Sequence, residues 1–139
     1  MLTDLKEKVW KANLDLKKYD LVTLTWGNVS GINREKGLVA IKPSGMSYEA
    51  MKPEDIVIVD LSGNVVEGSL QPSSDTPTHL ELYKAFREIS GVTHTHSEFA
   101  AMFSERPDAP KLFLHLHGQL RDGSRVRGTE VIVRGASSD

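Results

Sequence analysis

Cysteine is absent from the 139 residues, which removes disulfides, thiolate nucleophiles and iron–sulfur ligation together. Any metal site must then be built from His, Asp and Glu, a donor set suited to zinc, manganese or iron. Positive charge is not in excess either. With 17 Lys+Arg against 19 Asp+Glu, the formal net charge is -2, so a nucleic acid would find no basic footprint. No apolar run approaches the ~20 residues of a membrane span. The opening MLTDLKEKVWKANL mixes charged and apolar residues, unlike a signal peptide. Repeats and low-complexity linkers are missing as well. The expectation is a cytoplasmic domain with no nucleic-acid or membrane partner, long enough to bury a core without staples.

Periodicity supplies the elements. Leu5, Val9, Ala12 and Leu16 fall on one stripe behind Thr3, a candidate cap, which predicts an amphipathic helix over 3–18. The runs LVTLTW, VSGIN, LVAIK, DIVIVD and NVVEG are short, β-branched or apolar, and divided by Gly, Asn or Pro. They read as strands of a largely antiparallel sheet, with a hairpin turn at Ser62 to Asn64. Leu82, Phe86 and Ile89 return to helical spacing over THLELYKAFREI, with Thr78 near the start, and GVTHTH follows as a further strand. After Phe103 the pattern weakens: Arg, Gly and Pro gather, only KLFLHLH and EVIV keep periodicity, and a small polar tail with the composition of a disordered segment ends the chain. A change of organisation is placed near Ser104, giving regions 1–103 and 104–139.

Chemistry concentrates in four places. His94 and His96 sit one residue apart in the last of these strands, where a period of two sets both imidazoles on one face. They are either metal ligands or two hydrogen-bonded polar side chains. Ser73, Ser74 and Asp75 lie in a Pro-flanked loop before the second helix. Hydroxyls and N–H groups at a helix entrance suit a phosphate, and a carboxylate there can reach a metal or a proton; the plainer reading is an N-cap cluster. KPSG, Lys42 to Gly45, and WGNVS, Trp26 to Ser30, each place a glycine beside polar groups, where a ligand can approach the backbone closely.

The ordered set LVTLTWGNVS, IKPSG, VVEG, PSSDTPTH and HTHS resembles the class II aldolase/epimerase family, and within it the L-ribulose-5-phosphate 4-epimerases. The likeness runs from Met1 to about Phe103. It implies a three-layer α/β/α fold, incomplete at the C-terminus, and a homo-oligomer, a tetramer in the family. It also implies a phosphorylated pentulose substrate, a role in arabinose catabolism and a divalent cofactor, usually Zn2+. In such enzymes the metal polarises substrate oxygens, retro-aldol cleavage gives an enediolate and glycolaldehyde phosphate, and re-addition inverts C4. Carried over by position, His94, His96 and Asp75 become metal ligands, Asp75 also the catalytic carboxylate, and Gly27, Asn28, Ser44, Gly45, Ser73 and Ser74 the substrate-binding groups. Asp75, where fuculose-phosphate aldolases carry a basic Glu, is more similar to the epimerases.

The resemblance stops where the family places a third metal histidine, an acid/base Asp and a C-terminal Tyr. LFLHLHG offers His117 for the first, and the other two have no recognisable counterpart. A truncation or a shifted reading frame accounts for the abrupt loss of pattern better than a functional rearrangement. The expectation is an epimerase-type enzyme impaired in its second half, or a non-catalytic remnant that binds phosphate or associates with intact subunits. An unrelated hydrolase using His-x-His has less support, because no general base for a metal-bound water is evident.

Overall fold

The computed structural model describes residues 2–95 and the backbone of 112–115, 118–119, 125–126 and 130–133. The first helix, α1, spans Leu2–Lys18. Thr3 therefore lies inside the helix rather than before it. Its buried face is Lys6, Val9, Asn13 and Leu16, so Asn13 replaces the expected Ala12 on the packed stripe. Lys6 keeps its charge satisfied by donating to Glu54 O at 3.1 Å and Glu67 Oε1 at 3.0 Å. Trp10 Nε1 donates to Met51 O at 2.7 Å, fixing the helix to the loop below it.

Five strands follow: β1 Asn28–Asn33, β2 Leu38–Ile41, β3 Val57–Asp60, β4 Val65–Glu67 and β5 Gly91–His94. They form one sheet in the order β4-β3-β2-β1-β5, with every pairing antiparallel, as the short strands and turns imply. The run VIVD is nearly continuous in apolar character because both faces of the sheet are covered. Val57 and Val59 join Ile32, Val39 and Val92 on one face, against Leu80 and Tyr83. Ile58 and Ala40 point the other way, against Val9, Tyr48, Met51 and Ile56. Helices therefore flank the sheet on both sides, the layering expected of the family. The β3–β4 turn is at the predicted place: Gly63 has φ +91°, and the Asp60 carboxylate accepts from Ser62 N, Asn64 N and Asn64 Nδ2.

Three further expectations are corrected. LVTLTW is not a strand. Leu24, at φ +53°, and Gly27, at φ +102°, turn the chain before β1 begins, so the run is not extended and pairs with no strand among the described residues. It forms a turn with Trp26 N bonded to Thr23 O at 3.0 Å, leaving Leu21, Leu24 and Trp26 exposed. The second helix, α2, spans Thr76–Ala85, earlier and shorter than its apolar spacing suggests. Pro77 suits its first turn. Arg34 ends it by donating to Tyr83 O, Phe86 O and Ile89 O at 2.7–2.8 Å, which satisfies the carbonyls freed where Phe86 becomes extended. Finally, β5 stops at His94, and His96 lies outside the described residues.

Farther on, β6 (Leu112–His115) pairs with β9 (Glu130–Val133), and β7 (Gly118–Gln119) with β8 (Arg125–Val126). No helix among the described residues is long and apolar enough to cross a membrane.

Candidate functional site

A cleft of about 440 Å³ opens where the start of β1 and the end of β2 face the Gln71–Asp75 segment. Gly27, Asn28, Ser44, Gly45, Ser73, Ser74 and Asp75 all line it, so three loops distant in sequence converge on one space. Gly27 is sterically required there. A Cβ at this position would lie 2.9 Å from His94 O and 2.5 Å from Val22 Cγ1, and its φ of +102° disfavours any side chain. Gly45 also adopts a positive φ, +67°, but nothing crowds it, so only the backbone turn demands glycine.

Asp75 occupies the cap position of α2, yet its carboxylate makes no capping bond to the helix. The capping reading of the Ser-Ser-Asp loop is thus not what its carboxylate does. Oδ2 instead accepts from Asn28 Nδ2 at 2.6 Å and from His94 Nδ1 at 2.9 Å. Ser73 Oγ sits between these groups, 3.1 Å from Asn28 Nδ2, and accepts from Asp75 N at 3.2 Å. The β1–β5 register explains the meeting, since Asn28 lies directly opposite His94. Burial opposes the charge of Asp75, but the hydrogen bonds from Asn28 and His94 and the nearby imidazoles prevail and hold its pKa below the ordinary carboxylate value. It is a carboxylate at neutral pH.

Behind this wall, His79 is buried, with Nδ1 at 2.7 Å from Ser30 Oγ, which is in turn 2.8 Å from Tyr83 OH. Burial pushes its pKa down to about 4, against a weaker upward pull from Asp75, so the ring is neutral. Its Nε2 and Asn28 Oδ1 are buried atoms without a hydrogen-bond partner among the described residues. The spacing of Asp75, His79 and Tyr83, four apart, places all three along one helix face and was a signal available in the sequence. Lys42 also lines the cleft, although the KPSG loop had drawn notice for its serine and glycine. Its ammonium donates to Met46 O at 2.5 Å and lies 5.0 Å from the Tyr48 ring centre. Burial lowers its pKa.

Residues 7–130 match the family described as the class II aldolase and adducin N-terminal domain. The chain belongs to this family. Among solved structures, an L-fuculose 1-phosphate aldolase is similar at 40% identity and a TM-score of 0.69, over 73% of this chain and 48% of that one. The L-fuculose-1-phosphate aldolase from Thermus thermophilus is similar at 30% identity and 0.59, over 75% and 52%. The enzyme of the same name from Glaciozyma antarctica, at 20% identity and 0.66 over 81% and 47%, shares the fold. The chain thus spans about half the length of these relatives.

Class II aldolases characteristically use a divalent metal, and the donors present here suit one. His94 gives one ring nitrogen to a carboxylate, the arrangement that orients a ligating imidazole and sets its tautomer. Asp75 adds oxygen donors at the same point. Among the described residues no cluster of three or more His, Cys, Asp or Glu side chains forms. His96 and His117 both fall outside those residues.

Proposed function

We propose that the chain is a sugar-phosphate epimerase domain of the L-ribulose-5-phosphate 4-epimerase type, interconverting L-ribulose 5-phosphate and D-xylulose 5-phosphate by retro-aldol and aldol steps. The observation that carries this reading is the Asp75 carboxylate, held between Asn28 and His94 on the wall of the serine- and glycine-lined cleft. Ser44, Ser73, Ser74 and the Gly45 backbone bind the phosphate through hydroxyl and N–H donors. Gly27 leaves room for the substrate chain, and Asn28 orients Asp75. That carboxylate, ionised at neutral pH, accepts and returns a proton at a substrate hydroxyl. Asp75, His94 and His96 would hold the metal, zinc before other divalent ions, which supplies Lewis-acid stabilisation of negative charge on substrate oxygens. Assembly into a homo-oligomer belongs to the same proposal.

Likeness to an L-fuculose 1-phosphate aldolase at 40% identity favours a second reading, in which cleavage is the whole reaction. A third reading is a non-catalytic domain that binds phosphate or associates with intact subunits of the family. The deciding experiment supplies zinc to the purified chain and compares the two sugar phosphates. Zinc-dependent binding of L-ribulose 5-phosphate is expected in preference to L-fuculose 1-phosphate. Conversion to D-xylulose 5-phosphate, followed in the same assay, separates an epimerase from a domain that only binds. His94→Ala should abolish zinc uptake and conversion. Preferential cleavage of L-fuculose 1-phosphate would assign an aldolase, and phosphate binding with neither zinc uptake nor conversion would assign the non-catalytic domain.

A further inference from the structure

The ladder between β1 and β2 ends at Ser30 opposite Ile41, and continued by one step it would set Val29 against Lys42. That pair does not form. Lys42 O instead accepts from Ser73 N at 3.0 Å, Ser44 N donates to Gln71 O at 2.9 Å, and Pro43 bridges to Pro72. The chain after β2 has left β1 for the segment that carries Ser73 and Asp75, and the cleft lies in the resulting gap. Val29 still faces Thr93 of β5, but the departure of the other neighbour leaves its peptide without a partner on the β2 side, and an unpaired peptide away from water is costly.

Asn13 fills the vacancy. It is fully buried in the middle of α1, and its carboxamide bonds Val29 on both sides: Val29 N donates to Oδ1 at 2.8 Å, and Nδ2 donates to Val29 O at 2.9 Å. The second Nδ2 proton goes to Val9 O at 2.8 Å, so the amide is held to its own helix. A primary amide has one acceptor and two N–H donors in a plane, so with one N–H given to Val9 O it still offers Val29 the donor–acceptor pair that an opposing peptide would. The adjacent residue is Asn28, whose side chain holds Asp75.

We infer that Asn13 is a positioning residue of the cleft: its carboxamide stands in for the peptide of Lys42 as the ladder partner of Val29. In that role it lets the Lys42–Gly45 loop separate from β1 while Asn28 stays aimed at Asp75. This deepens the proposed sugar-phosphate site and rests on that reading for its functional consequence. The alternative is that Asn13 is an ordinary buried polar residue whose loss only lowers stability.

Three proteins separate these views: wild type, Asn13→Leu and Leu16→Ala, the last removing buried apolar contacts on the same helix away from the cleft. L-Ribulose 5-phosphate binding in the presence of zinc is measured by calorimetry, at a temperature where each protein is folded. Asn13→Leu should weaken binding at least tenfold, while Leu16→Ala should stay within twofold of wild type. Equal losses in the two variants, or no loss in Asn13→Leu, would overturn the inference. NMR gives a readout independent of the ligand. In wild type the Val29 amide and the Asn13 side-chain amide should exchange slowly, and in Asn13→Leu the Asn28 side-chain amide signals should move while those of Leu16→Ala do not. If wild type binds no sugar phosphate but these signals behave as stated, the functional reading fails and the positioning role stands. If Asn13→Leu does not fold, fast exchange of the Val29 amide in wild type suffices to overturn it.

Discussion

His79 allows one side chain's titration to be read as stability. Burial holds its folded pKa at about 4, against 6.5 for the free side chain, because an imidazolium between α2 and the sheet would lose its hydration. The unfolded chain takes up this proton near 6.5, whereas the folded chain resists until about 4. Between those values the unfolded state binds more protons, so acid favours unfolding. The contribution is complete above pH 6.5, declines as the pH falls to about 4, and is constant below. At 1.36 kcal/mol per pH unit the interval amounts to about 3 kcal/mol. Asp75 acts in a lower window: its depressed pKa gives stability that is present above the ordinary 3.8 and lost as pH falls through the folded value. Urea unfolding across about pH 4 to 8, for wild type and His79→Asn, isolates the effect. Asparagine keeps a hydrogen-bonding group for Ser30 but does not titrate. The wild-type free energy should fall by about 3 kcal/mol more than that of the variant between pH 7 and 4. Parallel pH profiles would refute the reasoning.

Gly27→Ala places a Cβ against the His94 carbonyl at 2.9 Å with φ at +102°; strain and overpacking together should cost about 2–4 kcal/mol in urea unfolding. Arg34→Met removes the donor that closes three carbonyls at the end of α2. A loss of about 1–3 kcal/mol is expected, with faster hydrogen exchange confined to residues 83–89 if the cap acts locally. Asp75→Asn removes the carboxylate that accepts from His94 Nδ1; zinc affinity should fall by about 10- to 100-fold in a titration with a chromophoric chelator, and unchanged affinity would remove Asp75 from the metal site.

Much of this protein was legible from local pattern. A 3.6-residue stripe announced α1, and β-branched runs cut by Gly and Asn announced an antiparallel sheet, because those signals come from side-chain direction and turn chemistry within a few residues. The long motifs WGNVS, KPSG and SSD pointed to the loops that line the cleft, and the family match bears out the fold they imply. LVTLTW failed as a strand because its β-prone composition does not reveal the positive φ that Leu24 and Gly27 adopt, which breaks the extended run before β1. Helix α2 stopped early because Arg34, far away in sequence, was available to close it. Which way Asp75 points was equally beyond local pattern. A carboxylate at a helix entrance has partners within its own turn, and only the register that sets Asn28 opposite His94 decides that it turns to them instead. Asn13 makes the same distinction from the other direction: the stripe read from the sequence ran through Ala12 instead, and the purpose of the Asn13 carboxamide depends on two strands parting, which is a property of the assembled sheet.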